Sequence, residues 1–363
     1  MVVLNRFKTV LVLVLSGLSI YVGLINIRDR IKWKIPSDGV RWTETSDWVE
    51  VKSVEPVFEG EVKTLSRGDR LLSVNGITIR NLDDYTEVLE LLALPAAEAS
   101  ATYLVQKAGS EVSVTYAIPI LMKSQVDSTD ILLTMVAFTY LGIGLFIFLW
   151  NWEAQGSFHF FLICMFAFVL HLYRYSGRAD LFDLFVYWLS AIAFLVLPPL
   201  FLQFCAGFPK PIAIVKRVTY LKPLFYLPCS LLLGLHLIWF SGRAQKIGFP
   251  RTESFQTLFD RLHLMHFIAL FLLGSLALAY SSRTASSELQ RLQMRWVTRG
   301  TLTAVLPFIC LYAIPFLIGI PISPYMEASI LATILIPLSF GYAITKHRLM
   351  DVELEAQRRD ERG

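Results

Sequence analysis

Charged residues are scarce in this chain of 363 residues. Asp, Glu, Lys and Arg together make up 17% of it, whereas soluble globular proteins carry about 25%. Cysteine occurs four times, too rarely for a disulfide-rich secreted scaffold. The hydrophobic fraction of 55% excludes an intrinsically disordered chain. The positive mean hydropathy of +0.55 indicates a membrane protein instead.

The motifs of common enzymes are also missing. The sequence contains no H-E-x-x-H, no G-x-S-x-G, no G-x-x-x-x-G-K-[ST] and no protein-kinase signature set. The string HLMH at 263–266 lacks the glutamate base of a zinc protease. A net charge of +4, spread over the flanks of apolar runs, gives no support for nucleic-acid binding. We therefore expect no catalytic activity and no cofactor on this chain.

Long apolar runs decide the fold class. A membrane-spanning helix needs about 20 predominantly apolar residues. Eight runs are free of Asp, Glu, Lys and Arg: 9–27, 131–150, 154–173, 184–208, 223–242, 262–282, 300–326 and 328–345. The sequence thus predicts a polytopic α-helical membrane protein with eight spans and both termini on one side. The first run has no A-x-A cleavage pattern, so residues 1–30 are predicted to be an uncleaved signal anchor.

One segment has ordinary composition. Between the first two runs, alternating apolar residues at 48–54, 70–79, 101–107 and 111–118 predict β-strands. Asn75–Gly76 predicts a tight turn, and residues 82–94 predict a helix that ends at Pro95. Residues 35–124 therefore form one inserted small β-rich domain, of a size that folds alone.

The string at 65–92 carries a family resemblance. Arg67–Gly68–Asp69 and Asn75–Gly76, followed by a helix, resemble the core of a circularly permuted bacterial PDZ domain. The segment at 57–66 departs from the family pattern, and no Gly-Leu-Gly-Phe loop is present. The resemblance implies either binding of extracytoplasmic protein C-termini or a packing and dimerisation role. Its groove would be lined by Ser37, Asp38, Gly39, Val40, Val49, Tyr85, Val88 and Leu89.

A second resemblance covers residues 131–354. Strings at 201–211, 288–300 and 335–354 resemble the seven-helix sensor region that precedes histidine kinase or serine-phosphatase outputs in bacterial signalling proteins. It implies a transmembrane sensor bundle at 131–345 and a short cytoplasmic tail at 346–363. Both termini would be cytoplasmic, the PDZ-like domain extracytoplasmic, and the location the bacterial inner membrane. The signal would leave through Pro337, Phe340, Tyr342, Arg348 and Asp351.

These patterns predict a membrane sensor that passes a signal to a cytoplasmic partner without a catalytic output of its own. The lipid bilayer and a second copy of the chain are further expected partners. Two alternatives stay open: a membrane-tethered PDZ scaffold, and the N-terminal part of a truncated kinase or phosphatase. Prolines within the spans predict kinks whose freed carbonyls neighbouring helices must satisfy. Pro337 is either a hinge in the last span or a static kink.

Two further sets of residues stand out. His171, His236, His263 and His266 lie near the predicted outer ends of spans, as a metal or proton site would require. Alternatively, histidines simply collect at helix ends. Arg291, Arg295 and Arg299 recur every four residues and predict one basic helix face. Such a face suits anionic lipid or an acidic partner.

Overall fold

The structure is a computed structural model. It describes residues 2–45, 48–54, 64–93, 100–150, 155–178, 180–208, 211–218, 221–241, 253–285, 288–320 and 322–347. The chain separates into two compact units, one of residues 1–27 with 127–363 and the other of residues 28–126.

Helices dominate the first unit, and one helix belongs to the second. In chain order they are α1 Val2–Lys32, α2 Leu82–Ala93, α3 Ser128–Trp150, α4 Gln155–Leu172, α5 Leu181–Gly207, α6 Ala213–Arg217, α7 Leu221–Leu224, α8 Leu227–Phe240, α9 Glu253–Arg283, α10 Glu288–Pro307, α11 Ile314–Leu317, α12 Pro324–Glu327 and α13 Leu335–His347. A π-helical segment, Phe308–Ala313, joins α10 to α11, and a 3₁₀ segment, Ala328–Ile334, joins α12 to α13.

Seven helical stretches are long and apolar enough to cross a membrane. They are Arg6–Lys32, Thr129–Trp150, Leu181–Gly207, Lys222–Phe240, Thr257–Arg283, Gln290–Leu317 and Tyr325–Ile344. The predicted third span forms a shorter apolar helix over Gly156–Leu172. The predicted fold class, a multi-pass helical membrane protein, is therefore confirmed, whereas the eighth span stays a prediction.

The bundle core forms where α3, α4, α5, α9, α10 and α13 meet. Helix α4 contributes large side chains to this core, since Phe160, Phe161 and Phe168 are almost completely buried. Helices α10 and α13 approach closely at Gly300, where a Cβ atom would collide with the Cβ of Ser339. A glycine is needed at this crossing because any side chain would push the two backbones apart.

The second unit is an antiparallel sheet with one helix. Its strands are β1 Lys34–Ser37, β2 Val40–Glu44, β3 Val49–Val54, β4 Arg70–Val74, β5 Ile77–Thr78, β6 Ser100–Gln106, β7 Ser113–Pro119 and β8 Leu121–Ser124. The main sheet has the order β2-β3-β4-β6-β7, with β5 paired to β4, and β1 pairs with β8 in a separate ribbon. The four predicted strand runs and the predicted helix are present. Strands β1, β2 and β8 lie outside the runs that the alternation marked.

The Arg67–Gly68–Asp69 motif has a structural role here. The Asp69 carboxylate accepts hydrogen bonds from the backbone N–H of Ser66 and Ala108 and pairs with Lys107 Nζ at 2.8 Å. Burial tends to raise the pKa of Asp69, but the bonds from Lys107 and from the two N–H groups outweigh it and lower the pKa below 3.8. This carboxylate therefore ties the start of β4 to the β6–β7 turn.

Candidate functional site

The predicted groove residues of the small domain lie inside its core. Val40, Val49, Tyr85, Val88 and Leu89 are each at most 9% exposed and belong to one hydrophobic cluster. These side chains therefore pack against their own domain. Whether the groove takes a peptide stays a prediction.

Asp38 lies in the Ser37–Val40 loop, which was predicted to bind a peptide carboxylate, and its own carboxylate accepts hydrogen bonds there. Its Oδ1 accepts the backbone N–H of Val40 and its Oδ2 accepts the indole N–H of Trp42, both at 2.9 Å. The neighbouring N–H of Gly39 donates to Ser37 Oγ at 3.2 Å. The side chains of the loop thus satisfy two of its own backbone N–H groups, and a carboxylate of this same chain sits among them.

Aromatic side chains enclose this carboxylate. The Trp42 ring lies parallel to Tyr103, with centroids 6.2 Å apart, and is tilted against Tyr85. Asp38 is 1% exposed, and burial raises its pKa above 3.8 against the opposing effect of its hydrogen bonds. Because a buried carboxylate loses much of its hydration, this cluster links proton uptake to packing in the domain.

The proline of the last span is matched by a donor from another helix. Pro337 has no N–H, so the carbonyl of Thr333, four residues earlier, lacks its usual helical donor. The hydroxyl of Tyr140 in α3 donates to that carbonyl oxygen at 2.7 Å. The expectation that a neighbouring helix compensates for the proline is confirmed at this position.

The other exit residues differ in their surroundings. Phe340 is fully buried against Phe160 and Phe204, with ring centroids 4.9 Å and 5.5 Å away. Tyr342 is 37% exposed and contacts the Trp296 ring at 5.1 Å. Arg348 and Asp351 lie outside the described residues. The exit helix is therefore anchored on one side and exposed on the other.

His266 has a structural partner of the same kind. Pro199 in α5 cannot donate to the carbonyl of Leu195, and His266 Nε2 in α9 donates to that oxygen at 3.1 Å. This ring nitrogen therefore satisfies backbone that a proline has left open.

The remaining histidines do not form one metal centre with it. The ring of His171 lies 5.9 Å from Tyr140, whereas His236 and His263 touch each other with centroids 5.5 Å apart. His236 also shares a hydrogen bond of 2.6 Å with the Tyr187 hydroxyl. Over the part of the chain that the structure describes, no three His, Cys, Asp or Glu residues are grouped as metal ligands.

Arg174, between α4 and α5, was not singled out from the sequence, yet it joins two helices. Its backbone N–H and C=O pair with the carboxamide of Asn26 in α1, at 3.1 Å and 2.9 Å. Its guanidinium Nε contacts Asp130 Oδ1 in α3 at 3.1 Å. Asn26 is 1% exposed. A lone polar residue late in the first apolar run was the available sequence signal, but its partner was not predictable.

Compared with protein-family models, curated protein sequences and solved structures, the chain gives no match.

Proposed function

We propose that this protein is a membrane sensor that converts a change in the small domain into movement of its last helix. In this proposal the chain crosses the bacterial inner membrane eight times, once with its N-terminal anchor and seven times with the bundle, and both termini are cytoplasmic. The PDZ-like domain is extracytoplasmic, and the last helix acts on a cytoplasmic signalling partner. The seven long apolar helices and the separate small unit support this organisation.

The observation that carries the proposal is the double attachment at Arg174. Helix α1 leads into residues 28–126 and α3 follows them, so these helices are the two covalent connections of the small domain. Arg174 holds Asn26 near the end of one connection and Asp130 at the start of the other. Any displacement of either connection therefore acts on the same loop of the bundle.

Helix α3 provides the route onward. From Asp130 to Tyr140 the helix rises about 15 Å, and there Tyr140 bonds the Thr333 carbonyl just before α13. Farther along α3, Ile143 lies against Gly341 of α13. A 3₁₀ segment inside a longer helix often marks a hinge, and Ala328–Ile334 lies directly before α13. This favours Pro337 as part of a movable element.

The scaffold alternative requires an open groove between the Ser37–Val40 loop and α2. The burial of Tyr85, Val88 and Leu89 favours the sensor over that alternative. If the domain only recruited proteins, the attachment at Arg174 would have no effect beyond stability.

An antibody fragment against the small domain can serve as an artificial stimulus. A fluorophore is placed at Tyr342→Cys in the full chain, with the exposed Cys310 changed to Ser, in lipid nanodiscs. We expect the fragment to change the emission of the fluorophore, and Arg174→Ala combined with Asn26→Ala to abolish that change while the fragment still binds. Both substitutions are needed because Arg174 contacts Asp130 through its side chain and Asn26 through its backbone. Arg178→Ala is the matched control, because Arg178 pairs with Asp180 in the same loop. If the fragment does not change the emission in the chain that keeps Arg174, the scaffold alternative is favoured.

A further inference from the structure

Helix α10 has a basic and aromatic face that the proposed signalling route does not use. Arg291, Arg295 and Arg299 are all exposed. Between them, Leu292 and Trp296 are 44% and 45% exposed. The opposite face is fully buried, with Gln293, Met294 and Val297 at 0% exposure. The exposed face therefore mixes cationic and large apolar side chains.

The order of residues around the helix places this face beside α13. At about 100° per residue, Gly300 lies about 40° to one side of Trp296, and Arg299 and Arg295 lie about 60° and 100° to the other. Gly300 is the close contact with Ser339 of α13, and Trp296 touches Tyr342 of the same helix. Moving away from the α10–α13 seam, the surface is thus first aromatic and then basic.

The length of the span fixes the depth of this face. The stretch Gln290–Leu317 has 28 residues and is about 42 Å long, whereas the hydrocarbon core is about 30 Å thick. The charge-free run begins at Gly300, so the turns before it extend beyond the hydrocarbon. Arg299 and Arg295, about 6 Å apart along the axis, then lie at headgroup level. Tryptophan and tyrosine are typical of this level in membrane proteins.

We propose that this face binds an anionic glycerophospholipid of the surrounding bilayer. Arg295 and Arg299 would bind its phosphate through charge-assisted hydrogen bonds, and Trp296 with Tyr342 would pack on the glycerol and upper acyl chain. Neither arginine has a carboxylate partner within the described part of the chain. Leu292 and Trp296 favour a lipid over a soluble acidic protein, because both expose apolar surface at headgroup level. The site does not depend on the signalling proposal.

The test compares phosphatidylglycerol with phosphatidylcholine. The full-length chain in detergent is titrated with each lipid, and bound lipids are counted by native mass spectrometry. We expect the wild-type chain to prefer phosphatidylglycerol, and Arg295→Gln with Arg299→Gln to lower that preference about fivefold per arginine, equivalent to about 1 kcal/mol each. Arg41→Gln with Arg67→Gln removes the same charge from exposed positions of the small domain and should leave the preference unchanged.

Further variants separate the contributions. Arg295→Lys with Arg299→Lys keeps the charge and should retain most of the preference for phosphatidylglycerol. It also shows that changing both positions does not by itself unfold the protein. Trp296→Ala should weaken binding of both lipids while the preference for the anionic one persists. The proposal is overturned if the wild-type chain shows no preference or if the control pair loses as much. It is equally overturned if soluble polyglutamate binds this face and displaces the lipid, since that result would identify an acidic protein as the occupant.

Discussion

The hydroxyl of Tyr140 bonds the carbonyl oxygen of Thr333, the one carbonyl that Pro337 deprives of its helical partner. Likewise, His266 donates a hydrogen bond to the carbonyl oxygen of Leu195, which Pro199 deprives of its helical partner. The bilayer interior offers no water to replace a lost backbone hydrogen bond, so such donors have to come from the protein. In both cases the donor comes from a different helix, which couples that helix to the proline kink.

Tyr140→Phe should lower the free energy of unfolding by about 0.6 kcal/mol and by at most about 1.7 kcal/mol, the range of hydrogen bonds within membrane proteins. The reason is that the Thr333 carbonyl loses its side-chain donor and keeps only the backbone N–H of Leu335. Chemical unfolding of the detergent-solubilised chain measures the loss. Tyr280→Phe, on an exposed tyrosine, should have no effect.

A double-mutant cycle ties this loss to the proline. In a Pro337→Ala background, residue 337 regains an N–H that reaches the Thr333 carbonyl, so Tyr140→Phe should cost much less. Equal losses in both backgrounds would show that Tyr140 stabilises the bundle for another reason.

His266→Phe should destabilise the bundle by a similar amount, because an aromatic ring still fills the position while the donor to the Leu195 carbonyl is lost. Pro199→Ala should reduce the loss, as measured by the same unfolding experiment. Added Zn²⁺ should not raise the unfolding temperature of the wild-type chain. An increase that disappears in His266→Phe would revive the metal hypothesis.

Gly300→Ala should destabilise the bundle by about 1–3 kcal/mol, since its methyl group collides with Ser339 across the α10–α13 seam. Ser339→Gly in the same chain should recover most of the loss by removing the opposing side chain. Gly142→Ala is the matched control: no atom beyond its chain neighbours and the adjacent turns of its own helix backbone lies within 4 Å of the added Cβ, and it should be neutral or stabilise slightly. Thermal unfolding in detergent distinguishes these variants.

The contribution of Asp38 to the stability of the small domain should fall as pH rises above 3.8, whereas the contribution of Asp69, whose pKa is lowered, rises with pH around that value. The raised pKa of Asp38 means that the folded state keeps a proton which the unfolded state has already lost in that window. One such proton changes the unfolding free energy by up to about 1.4 kcal/mol per pH unit until the pH passes the folded-state pKa. Hydrogen exchange of β2 and β3 in the full chain, corrected for intrinsic rates, measures this slope.

Asp38→Asn should remove that contribution to the slope, because an amide does not titrate. Glu87→Gln changes an exposed acid of the same domain and should leave the slope as it is. A wild-type slope that survives Asp38→Asn would assign the pH dependence to another group.

Parts of this architecture were predictable because they depend on one-dimensional patterns. Apolar run length located the seven helices that are long and apolar enough to cross a membrane, and alternation located the strands from Val49 to Pro119. The π-helical and 3₁₀ segments were not predictable, since prolines allow them but tertiary contacts decide them. The partners of Pro199 and Pro337 come from residues 67 and 197 positions away, so the sequence predicts that a donor exists but not which one.

The ribbon of β1 and β8 has a consequence for how the small domain can be exchanged. Lys34 pairs with Ser124, so the chain enters and leaves the domain at neighbouring points, about 5 Å apart. Because its two ends lie side by side, the size of the domain does not change the distance between the two segments that connect it to the bundle. Another folded domain with adjacent termini could replace it there. Such a chimera would keep the helical bundle and present a different domain to ligands.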